Sequence, residues 1–219
     1  MTLAPGSADH RELLYLLAHE HFHCWKGPGA EQPEELVYWF SEGFTDFYAR
    51  RLLLRAGLWT LDDTVRDLNQ KLAGLWANPV RNRPNQDIAG EFWRSPAVGA
   101  LPHQRGTLVA LVLDHELRRR SDGRRNLDDF MRALMVDTRA RGAPLSCEFL
   151  LARIEAATDA DFGAKLRATI LAGDDPPLSR DLCAPVLRLT WPDSTQGVPA
   201  AAPAFEIVAR DEALARSVL

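Results

Sequence analysis

Leu17-Ala18-His19-Glu20-His21-Phe22-His23 is the stretch on which the reading of this chain turns. His19 and His23 are four residues apart. On a helix their imidazoles stand one turn apart on the same face and can grip a single ion. Glu20 sits beside the first of them, where a carboxylate can take a proton from a water held by that ion. Two histidines and an acid at H-E-x-x-H spacing are the pattern of metal-dependent peptide hydrolysis. So short a pattern recurs by chance, and the chain on either side must supply the rest.

Working outward, Ser7 or Asp9 is placed to cap a helix with apolar positions Leu13, Leu14, Leu16, Leu17, Phe22 and Trp25. Gly27-Pro28-Gly29 ends it. A second helix is expected from Pro33 to about Ala56-Gly57, with Glu34 and Glu35 in its first turn and Trp39, Phe40, Phe44 and Phe47 along it. Catalytic zinc needs a third protein ligand and an open position. Glu42 follows His23 after eighteen intervening residues. Two antiparallel helices joined by the Gly27–Gln32 turn bring it toward the imidazoles. Asp46 lies one helical turn beyond Glu42, where it can accept the free ring N–H of a ligand histidine and fix its orientation.

Further along, Thr60 and Asp63 form a capping-box pair for a third helix reaching about Trp76. Residues 78–101 read as an irregular, functional loop. A fourth helix is expected over 102–120, a fifth from Asn126 to about Gly142, and two more capped by Ser146 and Asp159, the last ending at Gly173. From 174 onward the prolines exclude helix, and Val186–Trp191 and Ala204–Val208 read as short strands around the run Pro199–Pro203. The fold class is mainly α, with a helical zinc-binding unit over 1–173 and a Pro-rich, irregular or two-stranded tail over 174–219.

Composition narrows the function classes. A chain of 219 residues, 46% hydrophobic, can bury a sizeable core. A net charge of −4 offers no basic excess for nucleic acid. The longest apolar run, Leu108–Leu113, is too short for a bilayer, so no membrane partner is expected. Met1–Asp9 lacks a basic segment followed by an apolar one, so no signal peptide and a cytoplasmic location are expected. Cys24, Cys147 and Cys183 are odd in number and widely spaced, which fits a reducing compartment. Cys24 reads as a small buried thiol, His21 as a non-ligand, and His10 and His115 as surface or half-buried residues. The aromatic residues of the first two helices read as packing between them.

These motifs together resemble the glycyl aminopeptidase family of gluzincin zinc peptidases. His19, Glu20, Phe22, His23 and Trp25 match its metal helix. Trp39, Glu42, Gly43, Phe44, Thr45 and Phe47 match its W-x-x-E-G-F-T-x-Y segment. Gln104–Asp114 and Gly123–Asp129 match two later segments in the same order. The resemblance implies a thermolysin-like helical catalytic subdomain, Zn2+ on His19, His23 and Glu42, Glu20 as general base, and a peptide substrate. Two departures stand out. The family carries an oxyanion-stabilising tyrosine where this chain has His103; a histidine can donate the same hydrogen bond, which makes His103 the candidate for that role. The family also has a β-rich domain before the metal helix, whereas the sequence here begins almost at that helix. The expectation is therefore a truncation or a minimal form, possible homo-oligomerisation over the face left bare, and two competing functions. The leading one is a zinc metallopeptidase of aminopeptidase type. The alternative is a catalytically inactive zinc-binding helical module with a structural or interaction role.

Overall fold

The computed structural model of the chain describes residues 6–24, 29–192 and 202–219. Trp25, the Gly27-Pro28 part of the expected turn and most of the Pro199–Pro203 run lie outside them. The first helix, α1, spans Ala8–His23. Ser7 caps it, its hydroxyl accepting the His10 N–H at 3.2 Å.

The expected second helix is divided. A 3₁₀ turn covers Glu34–Val37, α2 covers Tyr38–Ser41 and α3 covers Gly43–Arg55. The division falls at Glu42, whose backbone keeps helical angles of −95° and −44°. Helix α4, Leu61–Ala77, starts with the reciprocal Thr60–Asp63 capping box.

The region 78–101 is only partly irregular. It holds a 3₁₀ turn at Asn85–Asp87, and the next helix, α5, begins at Pro96 and runs to Arg120. Ser95 is the cap and Pro96 the first-turn proline. The expectation of a start at Pro102 gave the wrong proline the first-turn role: Pro102 lies inside the helix. Helices α6 (Leu127–Arg141), α7 (Cys147–Ala157) and α8 (Ala160–Arg167) start at Asn126, Ser146 and Asp159. A π turn extends α8 to Ala172, and Gly173 closes it with a φ of 84°.

Helix α5 is the centre of the fold. Leu108 to Leu113 are each 4% exposed or less, so this helix is apolar all round because it is covered all round. It packs against α2, α3, α4 and α6. Its closest approach is to α2 and α3. A Cβ on Gly43 would collide with the Gly106 backbone, and one on Gly106 with the Trp39 carbonyl. Only glycine at both positions lets the helices meet there, which fixes the Glu42-Gly43 backbone against the central helix.

The segment after Gly173 is docked on the helices. Strands β1 (Leu187–Thr190) and β2 (Ala204–Ile207) pair antiparallel, with Leu189 opposite Phe205. The Asn69 side chain on α4 brackets the Phe205 backbone, at 3.0 Å to its carbonyl and 2.7 Å to its N–H. A final helix, α9 (Glu212–Val218), capped by Asp211, lies against α3. The proline-based exclusion of helix after 174 fails here, because α9 starts beyond the last proline. Among the described residues, no helix is long and apolar enough to cross a membrane.

Candidate metal centre

Helix α1 packs along α3, which carries the face of His19 and His23 onto the break at Glu42. His19 is 8% exposed; His23 is half-buried and Glu20 exposed. Three donor atoms converge. His19 Nε2 is 2.9 Å from His23 Nε2. Each of the two nitrogens is 3.3 Å from Glu42 Oε2. Metal–ligand bonds of about 2.0–2.2 Å in a tetrahedron put donors about 3.3–3.6 Å apart. The triangle here has that size, slightly contracted on its His–His edge. Glu20 also offers an oxygen, within 4.8 Å of the two histidine donor atoms.

Asp46, one turn after Glu42 and 1% exposed, stands behind His19. Its Oδ1 accepts from His19 Nδ1 at 2.8 Å, which leaves Nε2 for the triangle. The same oxygen accepts the Tyr15 hydroxyl. Its Oδ2 takes Lys71 Nζ at 2.8 Å and lies 3.3 Å from His103 Nδ1. The His103 ring lies 6.1 Å from that of His19, in a stacked orientation. Thus α1, α3, α4 and α5 all meet at one carboxylate.

The charges follow from these contacts. Burial alone would raise the Asp46 carboxyl, but hydrogen bonds from His103 and His19 and the charges of Lys71 and Arg50 hold it well below the usual carboxylate range. Burial alone would lower His19; its hydrogen bonds to Asp46 and Glu42 outweigh that and push the imidazole up to about 9. Tyr15 is pushed far up, first by burial and then by the Asp46 charge, with Arg50 opposing. The arrangement is one of concentrated negative charge facing two imidazoles. It suits a divalent cation.

His19, Glu20, His23, Glu42, Asp46 and His103 therefore lie together, although eighteen residues separate His23 from Glu42 and His103 lies many more beyond. His21 is exposed and lines an apolar groove with Phe22, Tyr48, Leu52 and Met131, on another side of α1 from the triangle. Cys24 is exposed, contrary to the buried thiol expected of it, at the C-terminal cap of α1. Trp39, Phe40, Phe44 and Phe47 are core residues, 1–4% exposed. Tyr15, Lys71 and Arg50 were missed in the sequence. Tyr15 precedes His19 by four residues, so helical spacing could have placed it on the ligand face. Lys71 carries no such local signal.

The later motif segments do structural duty. Asp114 Oδ1 accepts Arg51 Nη1 at 3.0 Å and the Leu127 N–H at 2.8 Å, tying α6 to α5 and α3. Asp128 accepts Tyr48 Oη at 3.0 Å and Arg55 Nη1 at 3.1 Å.

Residues 12–95 match a family model described as M61 glycyl aminopeptidase. That segment contains the triangle, Glu20 and Asp46, and stops short of His103. Among solved structures, the chain is similar to an aminopeptidase N family protein from Idiomarina loihiensis, with a TM-score of 0.69 and 18% identity. The match covers 86% of this chain and 36% of that one, so this chain spans about a third of the neighbour's length. No curated protein matches the chain. The family resemblance read from the motifs and the mainly helical fold with a small two-stranded sheet both hold.

Proposed function

We propose that this chain is the zinc-binding part of a metallopeptidase of aminopeptidase type. His19, His23 and Glu42 hold Zn2+, and Glu20 is the general base. The observation that carries this reading is the triangle of His19 Nε2, His23 Nε2 and Glu42 Oε2, with edges of 2.9, 3.3 and 3.3 Å. The donor set, two imidazoles and a carboxylate, is that of a catalytic rather than a structural zinc site. Bound there, the ion supplies Lewis-acid polarisation of a carbonyl and acidifies a water toward neutrality.

The chain's own residues supply the rest. Glu20 accepts the proton of the attacking water and returns it to the leaving amine nitrogen. Asp46 keeps the His19 proton on Nδ1 and the ring aimed at the triangle. His103, beside His19 and anchored to Asp46, donates a hydrogen bond to the carbonyl oxygen as it gains negative charge. The substrate is a peptide, entering along the exposed side of α1 where Glu20 lies.

One observation favours the second reading, an inactive zinc-binding module. Leu13, Leu16 and Leu17 are 40%, 54% and 57% exposed on the same side of α1 as Glu20. The described residues form a floor for a cleft and leave that side uncovered. Metal analysis with a peptide-amide hydrolysis assay separates the two. Glu20→Gln retaining stoichiometric zinc while losing about 10²–10⁴-fold in turnover supports the peptidase. Zinc bound with no hydrolysis by the wild-type chain supports the module. Folded protein that takes up no zinc sinks both.

A further inference from the structure

Asp46 holds more than a ligand histidine requires. Its side chain is 2% exposed, and its two oxygens divide four partners between them. Oδ1 serves His19 and Tyr15; Oδ2 serves Lys71 and His103. Tyr15 is itself held rigidly. Its ring stacks on Trp59 at 5.9 Å and 14°, and its hydroxyl receives Arg50 Nη2 at 3.3 Å. Arg50 in turn donates to the Asp46 carbonyl at 2.7 Å and is paired with Asp67. Tyr15 and His19 are one turn apart on α1, so the helix presents hydroxyl and imidazole to the same oxygen at once. Lys71 reaches the other oxygen from α4, its Nζ also lying 5.8 Å from the centre of the Tyr15 ring.

A ligand histidine gains in two ways from the carboxylate behind it: its ring is aimed, and its metal-facing nitrogen becomes more basic. Tyr15 contributes to the aim, because it fixes the very oxygen that His19 uses. Lys71 works against the basicity. Its ammonium draws charge from the carboxylate and adds a like charge close to a site for a cation.

The geometry points to Tyr15 and Lys71 as positioning residues that set, in opposite directions, how tightly the triangle holds its metal, Tyr15 by fixing the Asp46 oxygen that orients His19 and Lys71 by drawing off that carboxylate's charge. This rests on the reading of His19, His23 and Glu42 as a zinc site. General damage to the fold would weaken metal binding in both variants. Opposed effects are the signature of positioning.

The test uses the full chain and Zn2+ alone, with the dissociation constant measured by competition against a chromophoric chelator. Thermal melts of the metal-free proteins serve as a fold control. Tyr15→Phe is expected to weaken Zn2+ binding by about tenfold, the scale of such supporting contacts, with its melting transition retained. Lys71→Met is expected to bind Zn2+ more tightly than wild type. Tyr15→Phe that melts and binds like wild type overturns the inference while leaving the zinc site standing. So does Lys71→Met that binds Zn2+ no more tightly than wild type. Should Tyr15→Phe fail to fold, Lys71→Met decides alone: tighter binding supports the inference, and unchanged or weaker binding overturns it. A folded wild type that binds no Zn2+ removes the zinc site itself.

Discussion

Two buried aspartates organise the interior, and they do so with different partners. Asp114, 3% exposed, takes Arg51, Arg118 and the backbone N–H of Leu127. Asp46, 1% exposed, takes Tyr15, His19, Lys71 and His103. The guanidinium groups around Asp114 keep their charge at any pH a protein survives, and the Arg51 and Leu127 contacts join one helix to another. Among the groups around Asp46, His19 turns its other nitrogen to two further donors. A buried carboxylate with permanent, inward-facing partners is scaffold. One whose partners have a second end free to act on a ligand is the support of a site.

The sharpest way to break this comparison is to remove each carboxylate. Asp114→Ala leaves Arg51, whose side chain is 0% exposed, with Asp128 at 4.0 Å as its remaining carboxylate. Stranding a buried charge in this way costs about 3–5 kcal/mol. Chemical denaturation should show that loss, while the folded fraction binds Zn2+ at wild-type stoichiometry. A drop in metal affinity with stability intact would reverse the roles assigned to the two aspartates.

On the other side, His103→Phe should lower kcat on a peptide amide by about 10²–10³-fold, the value of one oxyanion donor. Zn2+ affinity should change little, because His103 is outside the donor triangle and does not bring to Asp46 the ammonium charge that Lys71 brings. An unchanged kcat/KM in an active preparation removes His103 from the chemistry. Asp46→Asn should weaken Zn2+ by about 10–100-fold through loss of the His19 support. Equal Zn2+ binding by Asp46→Asn and wild type would make Asp46 as purely structural as Asp114.

How much of this was legible depends on how local each signal is. The triangle could be read because helical spacing puts His19 and His23 on one face, and because Glu42, the residue before α3, stands one helical turn before Asp46. Caps were legible at Ser7, Thr60, Asn126, Ser146 and Asp159, since each depends on a few adjacent residues. The start of α5 was misplaced because Pro96 and Pro102 both satisfy the local rule, and tertiary packing around Leu101 and Pro102 carries the helix through the second. The roles of Gly43 and Gly106 are invisible without the crossing of α2, α3 and α5. Lys71 could not be found at all: its contact with Asp46 is made by the packing of α4 beside α1 and α3.

The smallest effect is the most direct probe of the His19–Asp46 contact. His19 is pushed from 6.5 up to about 9 in the metal-free chain. Its protonated ring has no lone pair on Nε2, so Zn2+ uptake must displace a proton below that pH. Apparent Zn2+ affinity should therefore rise by about tenfold per pH unit up to about 9 and level off there. Stability of the metal-free chain should move the other way. A histidine with a raised folded-state pKa contributes stability that is fully present below 6.5 and is lost as pH rises through about 9. Asp46, held below its ordinary 3.8, contributes stability above that value and loses it on acidification. The metal-free chain is then most secure between about pH 4 and 6.5. Across the window from 6.5 to 9 it loses the His19 contribution while the zinc-loaded chain gains affinity, so the rise in Tm on adding Zn2+ should grow with pH. A zinc-induced Tm shift that is flat over that window would mean that His19 carries no proton for the metal to displace, and that the contact with Asp46 does not govern its charge.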